Sequence, residues 1–312
     1  MGSSGGSFES ISPADYKRYS DLAKDKTKDT AFETQVSEVI SDLLSDYNNK
    51  DNEAINSHLD KIRSILENEF GGIIELKFGG SVKKRTYVDG LSDIDVLILI
   101  NKCDLSDLSP NAVLNKVKRR LQEMKLRDIK EIRAGDLAVT VTFNDDKEIQ
   151  LLPAISSGEG YKIAKAKKNE WSRLINPDKF ADRLTEINQS NGGKVIPVIK
   201  LMKGINDQFP EPQKLNGYHI ESIAIEIFKS YPDSNPRTPK AMLKYFFEKG
   251  KDILRSPIRD KTGQSRNVDD YLGQENSENR LKISRTFDII FRRMRDADEV
   301  GDVSMWKEIL GA

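Results

Sequence analysis

Two aspartates one residue apart, Asp93 and Asp95, stand at the head of the apolar run DVLILI in this 312-residue chain. On a strand, side chains at i and i+2 point to one face, with backbones roughly 6–7 Å apart, so the two carboxylates project together. Such a pair attracts hard divalent cations. Two magnesium ions about 3.5–4 Å apart can activate an attacking hydroxyl and neutralise a triphosphate leaving group, as phosphoryl-type transfer requires. Fourteen residues before Asp93 begins Gly79-Gly80-Ser81. Glycines there let backbone amides approach phosphate oxygens, the Ser81 hydroxyl adds a donor, and Lys84 adds positive charge. Each signal alone is ordinary, because D-x-D arises by chance and G-G-S is a common turn. Their order is far more specific: a strand, G-G-S, a basic segment, then S-D-I-D-V opening an apolar strand.

The elements that must position these residues follow from periodicity. Apolar residues at helical spacing (Phe32, Val36, Ile40, Leu43; Ile55, Leu59, Ile62, Leu66) predict helices over about 31–47 and 54–70. The stretch IIELKFGGS reads as a strand entering a glycine turn, and Asp95 to Ile100 as a strand buried on both faces. The intervening VKKRTYVDGLS is too polar for core. A basic amphipathic helix over 111–125 and short strands near 130–134, 137–144 and 148–152 complete a mixed sheet with flanking helices. From about 173 the pattern is helical, over 178–190, 194–206, 219–230, 237–249 and 279–296. The expected fold class is α+β and bilobal: a flexible tail over 1–30, a catalytic sheet lobe over 31–172, and a helical lobe over 173–312 that closes a nucleotide cleft.

Lys+Arg and Asp+Glu both count 50, so the net charge is zero and the whole-molecule field does not favour nucleic acid or anionic membrane. Binding to double-stranded DNA is not expected. The single cysteine, Cys103, excludes an internal disulfide framework and a cysteine-based zinc module, and a reducing cytoplasm is the simple inference. No apolar run reaches the roughly 18 residues of a membrane span, and the opening MGSSGGS lacks the regions of a signal peptide. The basic runs YKIAKAKKNE and KVKRR read as solvated faces.

The pattern G-S, short spacer, D-x-D resembles the signature of the DNA polymerase beta-like nucleotidyltransferases. Further segments resemble their cGAS/DncV-like group: EIQLLPA (148–154), Asn176-Pro177, IKLMKGIND (199–207), KLNGYHIES (214–222), SPIRDKTGQSRNVDDYLG (256–273) and WKEILG (306–311). The resemblance runs from about 35 to 311 and is to the CD-NTases, the oligonucleotide cyclases of bacterial CBASS anti-phage systems. It implies an enzyme that uses two magnesium ions, or manganese, at Asp93 and Asp95. It implies nucleoside triphosphate substrates, ATP among them, and a cyclic di- or trinucleotide product acting on a downstream effector, with a regulatory protein as a further partner. It also implies triphosphate contacts from Gly80, Ser81, Lys84 and Lys203, with Tyr218 stacking on a base.

The family's third metal-binding acid falls at position 150, and this chain has Gln150. An amide offers only a neutral carbonyl oxygen, so triphosphate capture can survive while bond formation is impaired. Three explanations stay open: an engineered inactive variant, a natural member that binds without catalysis, or Glu148, on the same strand face, taking over. Gly217 stands where the group often has a serine, so a phosphate contact there is from backbone or absent. Lys200 shares a helix with Lys203 and reads as solvated or as a second cation. His58 and His219 have no ligand-spaced partners and read as structural or surface positions, His219 being near enough to the expected site for a base contact. Two other functions compete: a nucleotide-sensing module without catalysis, and a template-independent RNA nucleotidyltransferase.

Overall fold

A computed structural model describes residues 30–48, 52–70, 74–89, 91–101, 103–260 and 266–312. The expected tail over 1–29 lies outside the described residues, as do the middle of the YNNKDN connection and part of the 256–273 segment. In chain order come helices α1 (Thr30–Asn48) and α2 (Asn52–Phe70), strand β1 (Glu75–Phe78), the single helical turn α3 (Gly80–Lys83), β2 (Ile94–Leu99) and α4 (Pro110–Glu123). Strands β3 (Ile129–Ala134), β4 (Val139–Phe143), β5 (Glu148–Ser157), β6 (Gly160–Lys165) and β7 (Glu170–Trp171) follow. The remainder is helical: α5 (Pro177–Ser190), α6 (Val195–Asp207), α7 (Gly217–Phe228), α8 (Pro239–Ile253), α9 (Glu278–Val300) and α10 (Val303–Leu310).

The strands form one mixed sheet in the order β1-β2-β5-β4-β3, with β6 and β7 continuing from the far half of β5. Only β2 and β5 run parallel, in a register that sets Asp95 beside Gln150 and Leu97 beside Leu152. Alternation then sorts the side chains. Ile94, Val96 and Ile98 of β2 join Val139, Val141, Ile149 and Leu151 in a core sealed by α2 and α4. The opposite face carries Asp95, Leu97 and Leu99 on β2 and Gln150 and Leu152 on β5. This face is left open to the cleft.

A second core fills the helical half, built on Phe246, Phe247, Phe287 and Trp306, none of them more than 0 % exposed. Local caps start its helices where the sequence supplies them. Asn176 accepts from the Lys179 amide ahead of Pro177, and Asn216 accepts from the His219 amide. Helix α1, which the sequence division gives to the sheet lobe, buries Phe32, Val36 and Ile40 in this helical core instead. The basic run 161–170 also differs from its expectation. It forms β6 and β7, with Tyr161, Ile163 and Ala164 buried and the lysines at 162, 167 and 168 left outside.

Candidate active site in the cleft between sheet and helices

Asp93 directly precedes β2, and Asp95 is the strand's second residue. The chain reaches them from β1, which pairs antiparallel with β2 and turns at Gly79. The Gly79 amide donates to the Asp95 carbonyl at 2.8 Å, so the glycine loop is stitched to the strand bearing the carboxylates. Gly80 has φ +45°, and a Cβ built on it would overlap Asp95 Oδ2. Both facts require glycine, and together they put the carboxylate against the first turn of α3. Ser81 is buried at the head of that turn, and its hydroxyl reaches the Asp93 carbonyl at 3.5 Å. The loop read as a glycine turn is thus one helical turn, whose N-terminal end faces the aspartates.

Burial raises the Asp95 carboxyl to about 6; Lys84 pulls it back, whereas Asp93 and Glu221 push it further up. Asp93 is raised more mildly, by burial and then by the charge of Glu148, against a lowering from Arg133. Two carboxylates whose charged form is disfavoured chiefly by burial suit a divalent cation.

Gln150 stands at the expected third position, and its Nε2 donates to Asp93 Oδ2 at 2.6 Å. The amide therefore uses one of the pair's oxygens instead of supplying a further anion. Glu148 lies on the same face, but accepts from Arg133 at 2.8 Å and Thr142 at 2.9 Å. Among the described residues no group of three or more His, Cys, Asp or Glu is arranged to hold a metal ion.

The helical half supplies the opposite wall of a cavity of about 520 Å³, lined by Gly79, Gly80, Ser81, Asp93 and Asp95 on one side and Lys203, Gly217 and Tyr218 on the other. Lys84 reaches across to Glu221 of α7 and lies over the rings of Phe180 and Tyr218 at 5.2 and 5.5 Å. Lys203 donates to the Thr86 carbonyl at 2.7 Å and sits 3.5 Å from Glu221. Tyr218 is half-buried, packed on Phe180 at 4.8 Å with its hydroxyl donated to Asp260 at 2.7 Å. Beyond the carboxylates the floor is aliphatic, with Leu97, Leu137, Leu152, Ile163 and Ile175.

The structure brings all eight sequence-selected residues, Gly80, Ser81, Lys84, Asp93, Asp95, Gln150, Lys203 and Tyr218, to this cleft or its edge. It does not bring Lys200, which is 4 % exposed and donates to Asn48 at the end of α1. His219 is fully buried away from the cleft, bonded to Tyr271 at 2.9 Å and facing Asp269 at 3.5 Å. His58 stacks on Phe143 at 3.7 Å on the back of the sheet, beside Asp145 at 3.0 Å. Sequence reasoning passed over Glu221, Thr86 and Phe180. A carboxylate inside the apolar stretch HIESIAI was the available signal for Glu221.

The family model described as Second Messenger Oligonucleotide or Dinucleotide Synthetase domain matches residues 32–188. No curated protein matches the sequence. Among solved structures, the CdnC:HORMA-deltaN complex of E. coli MS115-1 is similar with TM-score 0.66 and 16% identity, covering 88% of this chain and 97% of that one. The Vibrio cholerae DncV cyclic AMP-GMP synthase with the linear intermediate 5' pppA(3',5')pG is similar with TM-score 0.61 and 11% identity over 96% of this chain and 88% of that one. The STING-associated CdnE c-di-GMP synthase of Capnocytophaga granulosa follows at TM-score 0.56 and 15% identity, covering 90% and 98%. At these identities the likeness is one of fold, and that fold is the bilobal nucleotidyltransferase fold.

Proposed function

The chain belongs to the Second Messenger Oligonucleotide or Dinucleotide Synthetase domain family, and from that premise we propose that it captures nucleoside triphosphates in its cleft and joins them into a cyclic di- or trinucleotide. The observation that carries the reading is the convergence of two carboxylates, a glycine-led helical turn and two lysines on one cavity. Asp93 and Asp95 would hold magnesium, or manganese; when bound, the ion neutralises the charge of the triphosphate. The chain's own residues do the rest. Backbone amides of α3 and the Ser81 hydroxyl receive phosphate oxygens, Lys84 and Lys203 add positive charge, and Tyr218 offers a ring face to a base. The aliphatic patch around Leu97 and Leu152 accommodates the second nucleotide without competing hydrogen bonds.

The donor set fits a magnesium ion that arrives with the triphosphate, because two carboxylates plus phosphate oxygens make a sufficient oxygen shell. It fits a second, hydroxyl-activating ion poorly, because Gln150 is neutral and already bonded to Asp93. Bond formation is therefore the impaired step in this form of the chain. The same hydrogen bond favours a second reading, a nucleotide-binding module without turnover. In the first reading the role is signalling in anti-phage defence, through a cyclic product and its effector; in the second it is to sense or sequester a nucleotide. One structural neighbour is held in a complex with a HORMA protein, which supports a regulatory protein partner here as well. Among the described residues no helix is long and apolar enough to cross a membrane; a cytoplasmic location is part of the proposal.

Calorimetry with the α,β-methylene analogues of the four triphosphates, with and without magnesium, tests capture. The expected result is magnesium-dependent binding of at least one analogue, lost about tenfold or more in Asp95→Asn. Magnesium-independent binding that Asp95→Asn leaves intact would remove the aspartate pair from the site.

A further inference from the structure

Glu221 has no place in the binding scheme above, yet both cleft lysines converge on it. Its carboxylate is 1 % exposed, on the apolar stretch Ile220–Ile225 of α7. A carboxylate so fully removed from water persists only when paired and hydrogen-bonded on most sides. Here Lys84 pairs with one oxygen, and the other accepts from Thr86 with Lys203 at 3.5 Å. Lys203 is itself 8 % exposed and is further fixed by the Thr86 carbonyl at 2.7 Å. Lys84 and Thr86 come from the sheet lobe, Lys203 and Glu221 from the helices, so the cluster spans the cleft at its phosphate end.

One carboxylate against two ammonium groups leaves the cluster itself with one positive charge, which faces Asp95, whose carboxyl both lysines pull down. Without Glu221, two like charges would be buried together, and burial already depresses the Lys203 ammonium. Gly217 lies beside the cluster, where a Cβ would stand in ordinary contact with Lys203 Cε at 3.4 Å. Lys83, at the cavity rim, has its own partner in Asp178 and does not share the cluster.

We infer that Glu221 is a positioning residue for triphosphate recognition, which holds Lys84 and Lys203 adjacent and aimed together at the phosphates. It acts through those lysines. The inference rests on the nucleotide-binding reading.

Affinities for α,β-methylene triphosphates and for the matching di- and monophosphates, measured with magnesium in wild type and Glu221→Gln, test it. Glutamine keeps the shape and removes the charge. The expected result is a loss of about tenfold or more for the triphosphate that shrinks as phosphates are removed. A cooperatively folding Glu221→Gln protein with wild-type triphosphate affinity overturns the inference, as does an equal loss for every ligand, the mark of a merely structural role. If Glu221→Gln does not fold, Thr86→Val decides: it removes one anchor of the carboxylate and should cost about threefold on the triphosphate alone, and no loss there overturns the inference. Absence of any triphosphate binding by the wild type would instead bring down the nucleotide-binding reading itself, and this inference with it.

Discussion

Two adjacent glycines at the loop carry different burdens. Gly79 has an ordinary extended backbone and room for a methyl group, with nearest contacts at 3.6 Å, whereas Gly80 has φ +45° and Asp95 Oδ2 in the way. Gly79→Ala should therefore keep its stability within about 1 kcal/mol and bind triphosphate normally. Gly80→Ala should lose about 1–3 kcal/mol and most of its magnesium-dependent binding, because relief of the overlap must move Asp95. Urea unfolding and calorimetry on the two variants check this; equal behaviour would mean that the loop does not hold the carboxylate. Glycines, aspartates and Gln150 were legible as residues because each has a chemistry that its spacing exposes. Glu221 was not, since its importance comes from Lys84, which is 137 residues away in sequence. A pairing across lobes has no local pattern.

Among the elements, α7 carries the site on one side and a buried anchor on the other. Its His219 packs against Asp269, which Arg280 of α9 holds at 2.6 Å. Unfolded, this imidazole takes up a proton near 6.5; folded, burial delays protonation to about 4. The unfolded state thus binds more protons between those values, and stability falls as pH drops through 6.5 towards 4, by up to about 3 kcal/mol from this group. Urea midpoints at pH 7.5 and 4.5 should fall further in wild type than in His219→Gln; parallel falls would contradict the assignment. Long amphipathic elements were read to within a few residues, as with Glu278–Val300 against an expected 279–296. Short strands were not: β6, paired with β5 and with β7, sets buried Tyr161 and Ile163 on either side of exposed Lys162, and in sequence such a lysine-bearing run reads as a solvated charge run. Asp93 also sits just outside its strand, held by its neighbours and not by the ladder.

At the scale of the molecule, the split into a sheet half and a helical half was readable from the change of period near residue 173, but the place of α1 was not. A helix before the first strand has an apolar face that periodicity can see and a partner that it cannot, and the partner proved to be the helical core. The result is that the chain enters the helical half, leaves to build the sheet, and returns, so the cleft walls are tied through α1 as well as through the Glu221 cluster. This leaves a cavity whose capture residues come from both halves and whose one departure from the expected acid set is Gln150. Under the proposed function, capture is retained there and bond formation is limited. The most direct test is mass-spectrometric analysis of products after incubation with all four nucleoside triphosphates and magnesium, for the protein and for Gln150→Asp. At least about tenfold more cyclic product is expected from Gln150→Asp, and equal, substantial product from both forms would show that Gln150 does not limit bond formation.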